Sequence, residues 1–393
     1  MTTGQTSRHH REELDPPDQP APPDETAAPP EQAVQRHVDD ASVQETIASL
    51  VRETAGEGAS ARDAALVSDL LTAVLKLIPD GRDTGELKLV TSAVKELRYA
   101  YRVFAQHPGR HKVTIFGSAR TPEDHPDYKA AVEFSRGIAA KNWMVITGAG
   151  DGIMKAGHVG PGAESSFGVA IRLPFETTAN DVIAGDEKLI NFRYFFTRKL
   201  MFLSQAEAVV IFPGGYGTLD EAFETLTLVQ TGKASIIPIV FVEGHHERAG
   251  YWHAMERFIR DELLERGLIS PEDTGLYEIV STPEEAVEHL CSFYRRYHSS
   301  RYVRDDLVIR MTSRLSEASV QTLNDEFASI VKKGRIVQRG PYEIEDVALD
   351  LPRLAFTHTR HHYGLVRRLI DRLNELPGED PEAERERVFR GPG

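Results

Sequence analysis

The chain has 393 residues, 60 acidic and 46 basic side chains, and a formal net charge of −14. This length suits two to three domains with a real core, and the acidic balance excludes a general nucleic-acid binder, which needs a basic surface for phosphates. A single cysteine, Cys291, excludes an intrachain disulfide and a multi-cysteine zinc cluster, and no apolar run approaches the ~20 residues of a membrane span.

Residues 1–40 are rich in proline and acid and poor in large apolar side chains. Such a segment cannot offset its ordering entropy by burial, so a disordered tail is expected. Helical spacing begins at Val43 and runs through Ile47, Leu50 and Val51, then Leu66, Leu70, Leu71, Val74 and Leu75, then Leu87, Val90, Val94, Leu97, Tyr101 and Phe104. It predicts an N-terminal helical layer over residues 41–108. Short apolar runs follow at 113–116, 143–147, 167–171, 207–212 and 236–242, with a sixth at 277–280, each separated by enough chain for a helix. The alternation predicts an α/β domain over 109–297, a Rossmann-like doubly wound parallel sheet that binds ligands outside the carboxyl ends of its strands. Cys291 falls in its last helix, where a half-buried residue is expected rather than a reactive thiol. Beyond His298 the pattern is helical at 315–331 and 363–373 around a Gly340-Pro341 turn. Residues 298–378 are therefore expected to form an α-rich accessory and regulatory extension, with a flexible tail over 379–393. No apolar signal segment is legible near the N-terminus, which makes a cytoplasmic location the expectation.

Glycine turns at the strand ends carry the candidate chemistry. The strand at 207–212 empties into Pro213-Gly214-Gly215-Tyr216-Gly217-Thr218-Leu219-Asp220-Glu221, with helical spacing over 218–231. Free N–H groups at a helix start attract an anion, and the helix dipole adds to the attraction. Gly214, Gly215 and Gly217 permit tight or positive-φ backbone, and Thr218 offers a hydroxyl to the same phosphate. Glu221 and Glu224 lie three apart on one helical face, which is unexpected in a site that only holds an anion and points to chemistry. The first strand ends in Phe116-Gly117-Ser118-Ala119-Arg120, where Gly117 lets the backbone approach a ligand and Ser118 and Arg120 offer donors. The second runs into Gly148-Ala149-Gly150-Asp151-Gly152, whose alternate glycines lack the Gly-x-Gly-x-x-Gly spacing of a dinucleotide site. Asp151 is unfavourable beside a phosphate and is expected near sugar hydroxyls or turned away.

Phe192, Phe195, Phe196, Leu200 and Leu203 give the helix of Arg198 a wide apolar surface, so it packs on the sheet or on a second subunit. An arginine buried there needs a carboxylate or phosphate partner, whereas Lys199 reads as a solvated neighbour. His245-His246 and His361-His362 read as solvated surface, without the acidic ligand set a metal site requires. Arg360, Arg367 and Arg368 read as a helix face pairing with Asp371 and Glu375, a regulatory nucleotide being the alternative.

The run from Pro213 to Glu221 resembles the Pro-Gly-Gly-x-Gly-Thr-x-x-Glu motif of the Lonely Guy family, once called lysine decarboxylase-like, and Arg198-Lys199 resembles that family's upstream Arg-Lys pair in the same register to Glu221. The resemblance covers roughly residues 110–295. It implies a phosphoribohydrolase that cuts the N-glycosidic bond of a nucleoside 5′-monophosphate, giving free base and ribose 5-phosphate, without metal or redox cofactor and as a homodimer or larger homo-oligomer. Carried over residue by residue, it implies Glu221 and Arg198 as the catalytic pair. It implies Gly117, Ser118, Gly148, Gly150, Gly214, Gly215, Gly217, Thr218 and Glu224 as substrate contacts. Many relatives have Gly-Gly-Gly-Pro-Gly-x-Met-Glu at the second loop, and this chain departs from it at Ala149, Asp151 and Lys155. Residues 323–331 followed by Gly340-Pro341-Tyr342 are similar to the C-terminal region of longer bacterial nucleotide 5′-monophosphate nucleosidases, which turns the expected substrate toward AMP. The alternatives are a cytokinin riboside 5′-monophosphate phosphoribohydrolase and a non-catalytic nucleotide-binding sensor.

Overall fold

A computed structural model describes residues 38–56, 59–172, 179–243 and 250–379. The expected tails, apart from 38–40 and 379, and the His245-His246 pair lie outside the described residues. The chain forms two compact units, one ending at Thr91 and one starting at Ser92, a coarser division than the five segments expected from composition. In the first unit α1 (Ala41–Thr54) is followed by α2 (Ala61–Lys76), and α3 (Thr84–Phe104) begins there. Ser60 caps α2 by accepting from Asp63 N at 3.1 Å. Thr72 lies 3.4 Å from Gln44 of α1, while Leu66, Val67, Leu70 and Val74 on the other side of α2 are exposed.

The second unit is built on seven parallel strands in the order β4-β3-β2-β1-β5-β6-β7. They are β1 (Lys112–Phe116), β2 (Met144–Thr147), β3 (Ser166–Ile171), β4 (Leu189–Phe192), β5 (Ala208–Ile211), β6 (Ile239–Val242) and β7 (Glu278–Val280). Central strands of such a sheet are covered on both faces, and β1, β2, β5 and β6 are buried at every position, which is why they read as continuous apolar runs. Val113, Ile115, Val145 and Val210 enter one core; Phe116, Met144, Ile146, Val209 and Ile211 enter the other. Each fully buried valine or isoleucine contributes about 1.5–3 kcal/mol relative to exposure. The connecting helices are α4 (Pro126–Ala139), α5 (Ile153–Val159), α6 (Phe195–Ser204), α7 (Tyr216–Gln230), α8 (Tyr251–Phe258) and α9 (Pro283–Phe293). β4 was not expected from the sequence. It is a short edge strand in which Ile190 and Phe192 are buried and Asn191 is exposed, too brief and too polar to stand out. Strand order runs outward in both directions from β1 and β5, so the ligand crevice of a doubly wound sheet falls at their carboxyl ends.

The expected C-terminal helices are present as α10 (Glu317–Glu326) and α11 (Tyr363–Glu375). They accompany a four-stranded antiparallel sheet, β10-β11-β9-β8, that the sequence did not announce: β8 (Tyr297–Val303), β9 (Asp306–Met311), β10 (Val331–Arg339) and β11 (Arg353–His358). The helix expected over 315–331 ends at Glu326, and Val331 opens a strand. β10 is charged and largely exposed, so it carries no apolar alternation to read. Leu307, Ile309, Phe356 and Leu369 share one continuous core with Phe241 and Trp252 of the parallel sheet and its helices. Beside that sheet, buried Glu345 bonds Arg310 Nη2 at 2.8 Å and Arg353 Nε at 3.2 Å. Among the described residues no helix is long and apolar enough to cross a membrane.

Candidate functional site

The loops after β1 and β5 meet at the crevice. Ser118 N donates to Pro213 O at 3.2 Å, and Ser118 O accepts from Ile153 N at 3.0 Å, tying both loops to the start of α5. Gly117 faces the Ile153 side chain, 2.5 Å from where its Cβ would sit, so here the close approach is to α5. A Cβ on Gly214 would overlap Thr218 Oγ1 and reach to 3.0 Å from Ser118 N, whereas Gly215 and Gly217 face open space. None of these three adopts positive φ; of the two expected uses, tight packing is the one seen, at Gly214. The left-handed positions are Ala149, at φ 63°, and Gly152, at φ 59°. The glycines of the turn therefore keep volume clear rather than supply unusual dihedrals.

Among the described residues no side chain caps the start of α7. The neighbouring start of α8 is occupied from within the chain: Glu243, buried, accepts from Tyr251 N, Trp252 N and His253 N at 3.1, 2.8 and 3.1 Å. Tyr251 Oη then donates to Gly214 O at 2.6 Å, bracing the glycine turn. One helix start is thus filled by a carboxylate and the other is open to an anion.

Glu221 lies one turn into α7, only 8% exposed, and among the described residues its Oε2 is buried without a hydrogen-bond partner. Burial pushes its carboxyl up to about 7, against the pull of Lys199 and Arg198. Arg198 donates from Nε to Val169 O at 2.8 Å, lies 5.0 Å over the Phe202 ring, and presents Nη2 to Gly148, where a Cβ would overlap it. Met154 packs there too, its Sδ 2.5 Å from a Cβ on Gly148 and its Cε 2.7 Å from one on Gly150.

Lys199 is not the solvated neighbour expected from its position. Its Nζ lies 2.6 Å from Asp220 Oδ2 and 2.5 Å from Glu224 Oε2. Burial works against its charge, but these two bonds outweigh it and the ammonium is pushed up to about 12. Glu224 is thereby committed to Lys199 and half-exposed, while Thr218 is buried beside Gly214. The readable signal was the acid pair Asp220 and Glu224, four apart on one helix face and in need of a cation. Nothing local marked Glu243 or Tyr251.

Asp151 and Arg120 are exposed, and Lys155 pairs with Glu123 at 2.9 Å and Asp181 at 3.2 Å. Cys291 is half-buried on α9, and burial pushes its thiol up. The C-terminal arginines do not share a face: Arg367 is buried on Asp371 at 3.0 Å, Arg360 stacks 4.3 Å over Tyr302, and Glu375 is paired instead with Arg372 at 3.2 Å. His361 and His362 are exposed, and His362 bonds Glu272.

These features define an α/β protein whose strand-order switch holds an open helix start beside a buried carboxylate, one oxygen of which has no hydrogen-bond partner among the described residues. Residues 149–290 match the family model described as "Possible lysine decarboxylase". A probable cytokinin riboside 5′-monophosphate phosphoribohydrolase of Oryza sativa subsp. japonica is 27% identical over 214 residues, covering 53% of this chain and 81% of that protein. A cytokinin riboside 5′-monophosphate phosphoribohydrolase of Arabidopsis thaliana is 31% identical over 176 residues, covering 43% of this chain and 76% of that protein. Among solved structures, the molybdenum cofactor binding protein of Rippkaea orientalis aligns with a TM-score of 0.35 at 18% identity, over 47% of this chain and 98% of that one. The chain belongs to the Lonely Guy family, the possible lysine decarboxylases of the family model.

Proposed function

We propose that the protein is a nucleoside 5′-monophosphate phosphoribohydrolase acting on AMP-like nucleotides. The observation that carries the reading is Glu221: a buried carboxylate without a partner on Oε2, one turn from an uncapped helix start. The phosphate sits at that start, in the space Gly215 and Gly217 leave open, with Gly214, Thr218 and Ser118 forming its wall. The ribose then extends toward Glu221. Cleavage of the N-glycosidic bond develops positive charge on the sugar, which a carboxylate at the anomeric carbon stabilises while it activates water. Arg198 and Lys199 keep Glu221 ionisable near neutrality despite its burial. Arg198 beside Gly148 adds positive charge where the substrate's anionic end enters, and Glu224 reaches the sugar hydroxyls only through the ion pair with Lys199. The mechanism needs neither metal nor redox cofactor.

Cytokinin riboside monophosphates are the second reading, favoured by the names of the relatives. A purified protein given AMP, GMP, CMP, UMP and N6-isopentenyl-AMP is expected to release base and ribose 5-phosphate from AMP first, with competition between AMP and N6-isopentenyl-AMP deciding the preference. Release from none, with a nucleotide recovered intact from tight binding, makes the protein a sensor. We also propose that copies associate through α6 and α7. Phe195, Phe196 and Leu200 are 55%, 51% and 46% exposed. Beside them, Tyr216, Leu219, Phe223 and Leu228 line a groove of about 670 Å³. Phe195→Asp with Leu200→Asp is expected to lower the mass in solution to that of one chain; an unchanged oligomer would place the interface elsewhere.

A further inference from the structure

Behind the second glycine loop lies a buried polar set that the proposed reaction leaves unused. His158, on α5, is fully buried. Its Nε2 lies 3.1 Å from Phe167 O and 2.9 Å from Thr147 Oγ1, and its Nδ1 lies 3.1 Å from Asn180 Nδ2. A carbonyl only accepts, so Nε2 carries the ring proton and Nδ1 accepts, which turns the amide nitrogen of Asn180 toward the ring. Burial holds the imidazole pKa below its usual value, consistent with that neutral form. The same Asn180 Nδ2 donates to Gly150 O at 3.0 Å, and Asn180 N donates to Ala149 O at 2.8 Å. Thr147 Oγ1 accepts from Ala149 N at 3.1 Å. The N–H of Ala149 is therefore tied to the buried Thr147 hydroxyl, its carbonyl to the backbone N–H of Asn180, and the carbonyl of Gly150 to the buried Asn180 amide, with His158 bonded to both Thr147 and Asn180 behind them.

The tie acts on a strained residue. Ala149 adopts φ 63°, a region where the Cβ of an L-residue crowds the following carbonyl. An alanine there needs its surroundings to hold it, and on its far side the loop places Gly148 against Arg198 Nη2. We propose that Asn180, His158 and Thr147 are positioning residues that hold Ala149 in this strained form and Gly150 beside it, and so fix the loop against which Arg198 packs and the substrate is placed. The role in turnover rests on the phosphoribohydrolase reading; the restraint of the loop does not.

The test uses the full chain with Asn180→Asp, which keeps the side-chain shape but loses the amide donor, and Asn180→Ala, each alone and with Ala149→Gly. Amide hydrogen exchange without ligand is read at residues 148–152. A lost hydrogen bond is expected to speed exchange there about tenfold, with β1 and β5 unchanged. Ala149→Gly is expected to recover fivefold or more, because glycine adopts positive φ without the Cβ penalty. In base release from AMP, KM is expected to rise about tenfold with a smaller change in kcat, and to recover with Ala149→Gly, a rescue that a merely structural role would not give. Unchanged exchange at 148–152 in both Asn180 variants, or loss spread over the whole sheet without rescue, overturns the proposal. If the wild-type protein cleaves no nucleotide, the reaction reading fails, and the exchange and its rescue still decide the restraint.

Discussion

In the proposed reaction Glu221 carries both the chemistry and its cost in one side chain. Its folded pKa of about 7 exceeds its ordinary value of 4.5, so the folded state binds the proton more tightly than the unfolded state. The contribution of this group to stability is therefore greatest below pH about 4.5, falls as pH rises toward 7, and stays reduced above it. Glu221→Gln is expected to abolish base release while raising stability at pH 8 by about 1–3 kcal/mol, a gain that shrinks toward pH 5. Thermal unfolding at the two pH values checks this; full turnover in the variant would remove Glu221 from the reaction. If the carboxylate is the working form, kcat/KM rises with pH through a midpoint near 7. Lys199 is the largest of the charges holding that value down, so Lys199→Met is expected to move the midpoint upward, which a pH–rate profile measures. Glu221 and Arg198 stand out in the sequence because a contiguous motif and a fixed register carry them. The pairing of Lys199, the carboxylate plug of Glu243 and the amide of Asn180 do not, because each is made by segments brought together only by folding.

At the scale of elements, the glycine turn separates two demands that its sequence runs together. Gly214 is required by the protein, since a Cβ would strike Thr218 and crowd Ser118; Gly215 and Gly217 meet nothing. Gly214→Ala is expected to cost about 1–3 kcal/mol of stability through overpacking. Gly215→Ala and Gly217→Ala are expected to melt like wild type within about 0.5 kcal/mol while raising KM. Melting curves and KM values for the three variants check this; equal destabilisation in all three would mean that packing alone selects the glycines. The central strands were legible because burial on both faces makes them continuous apolar runs. The outer C-terminal strands were hidden by the reverse case: β8 and β10 expose Arg301, Lys332, Lys333 and Arg335, wholly or in part, and these polar side chains mask the alternation.

At the scale of the whole molecule, two carboxylates pull the pH dependence of stability in opposite directions. Burial opposes the charge on Glu345, but bonds from Arg353, the Tyr342 amide and Arg310 outweigh it and draw its carboxyl down to about 2. A depressed folded pKa contributes stability that is present above pH about 4.5 and lost as pH falls toward 2. Denaturant unfolding is thus expected to show its maximum between the acid limb of Glu345 and the neutral limb of Glu221. Glu345→Ala is expected to cost about 3–5 kcal/mol at pH 6, because it leaves two buried guanidinium groups without their shared anion; a cost under 1 kcal/mol would show that water or backbone replaces it.

The core that runs from Phe241 and Trp252 into Ile309 and Leu369 joins the interiors of the two sheets. Neither sheet can shed its partner without exposing its own interior, so the two are expected to unfold in one transition, which would give the crevice the cooperativity of that shared core rather than of its own loops.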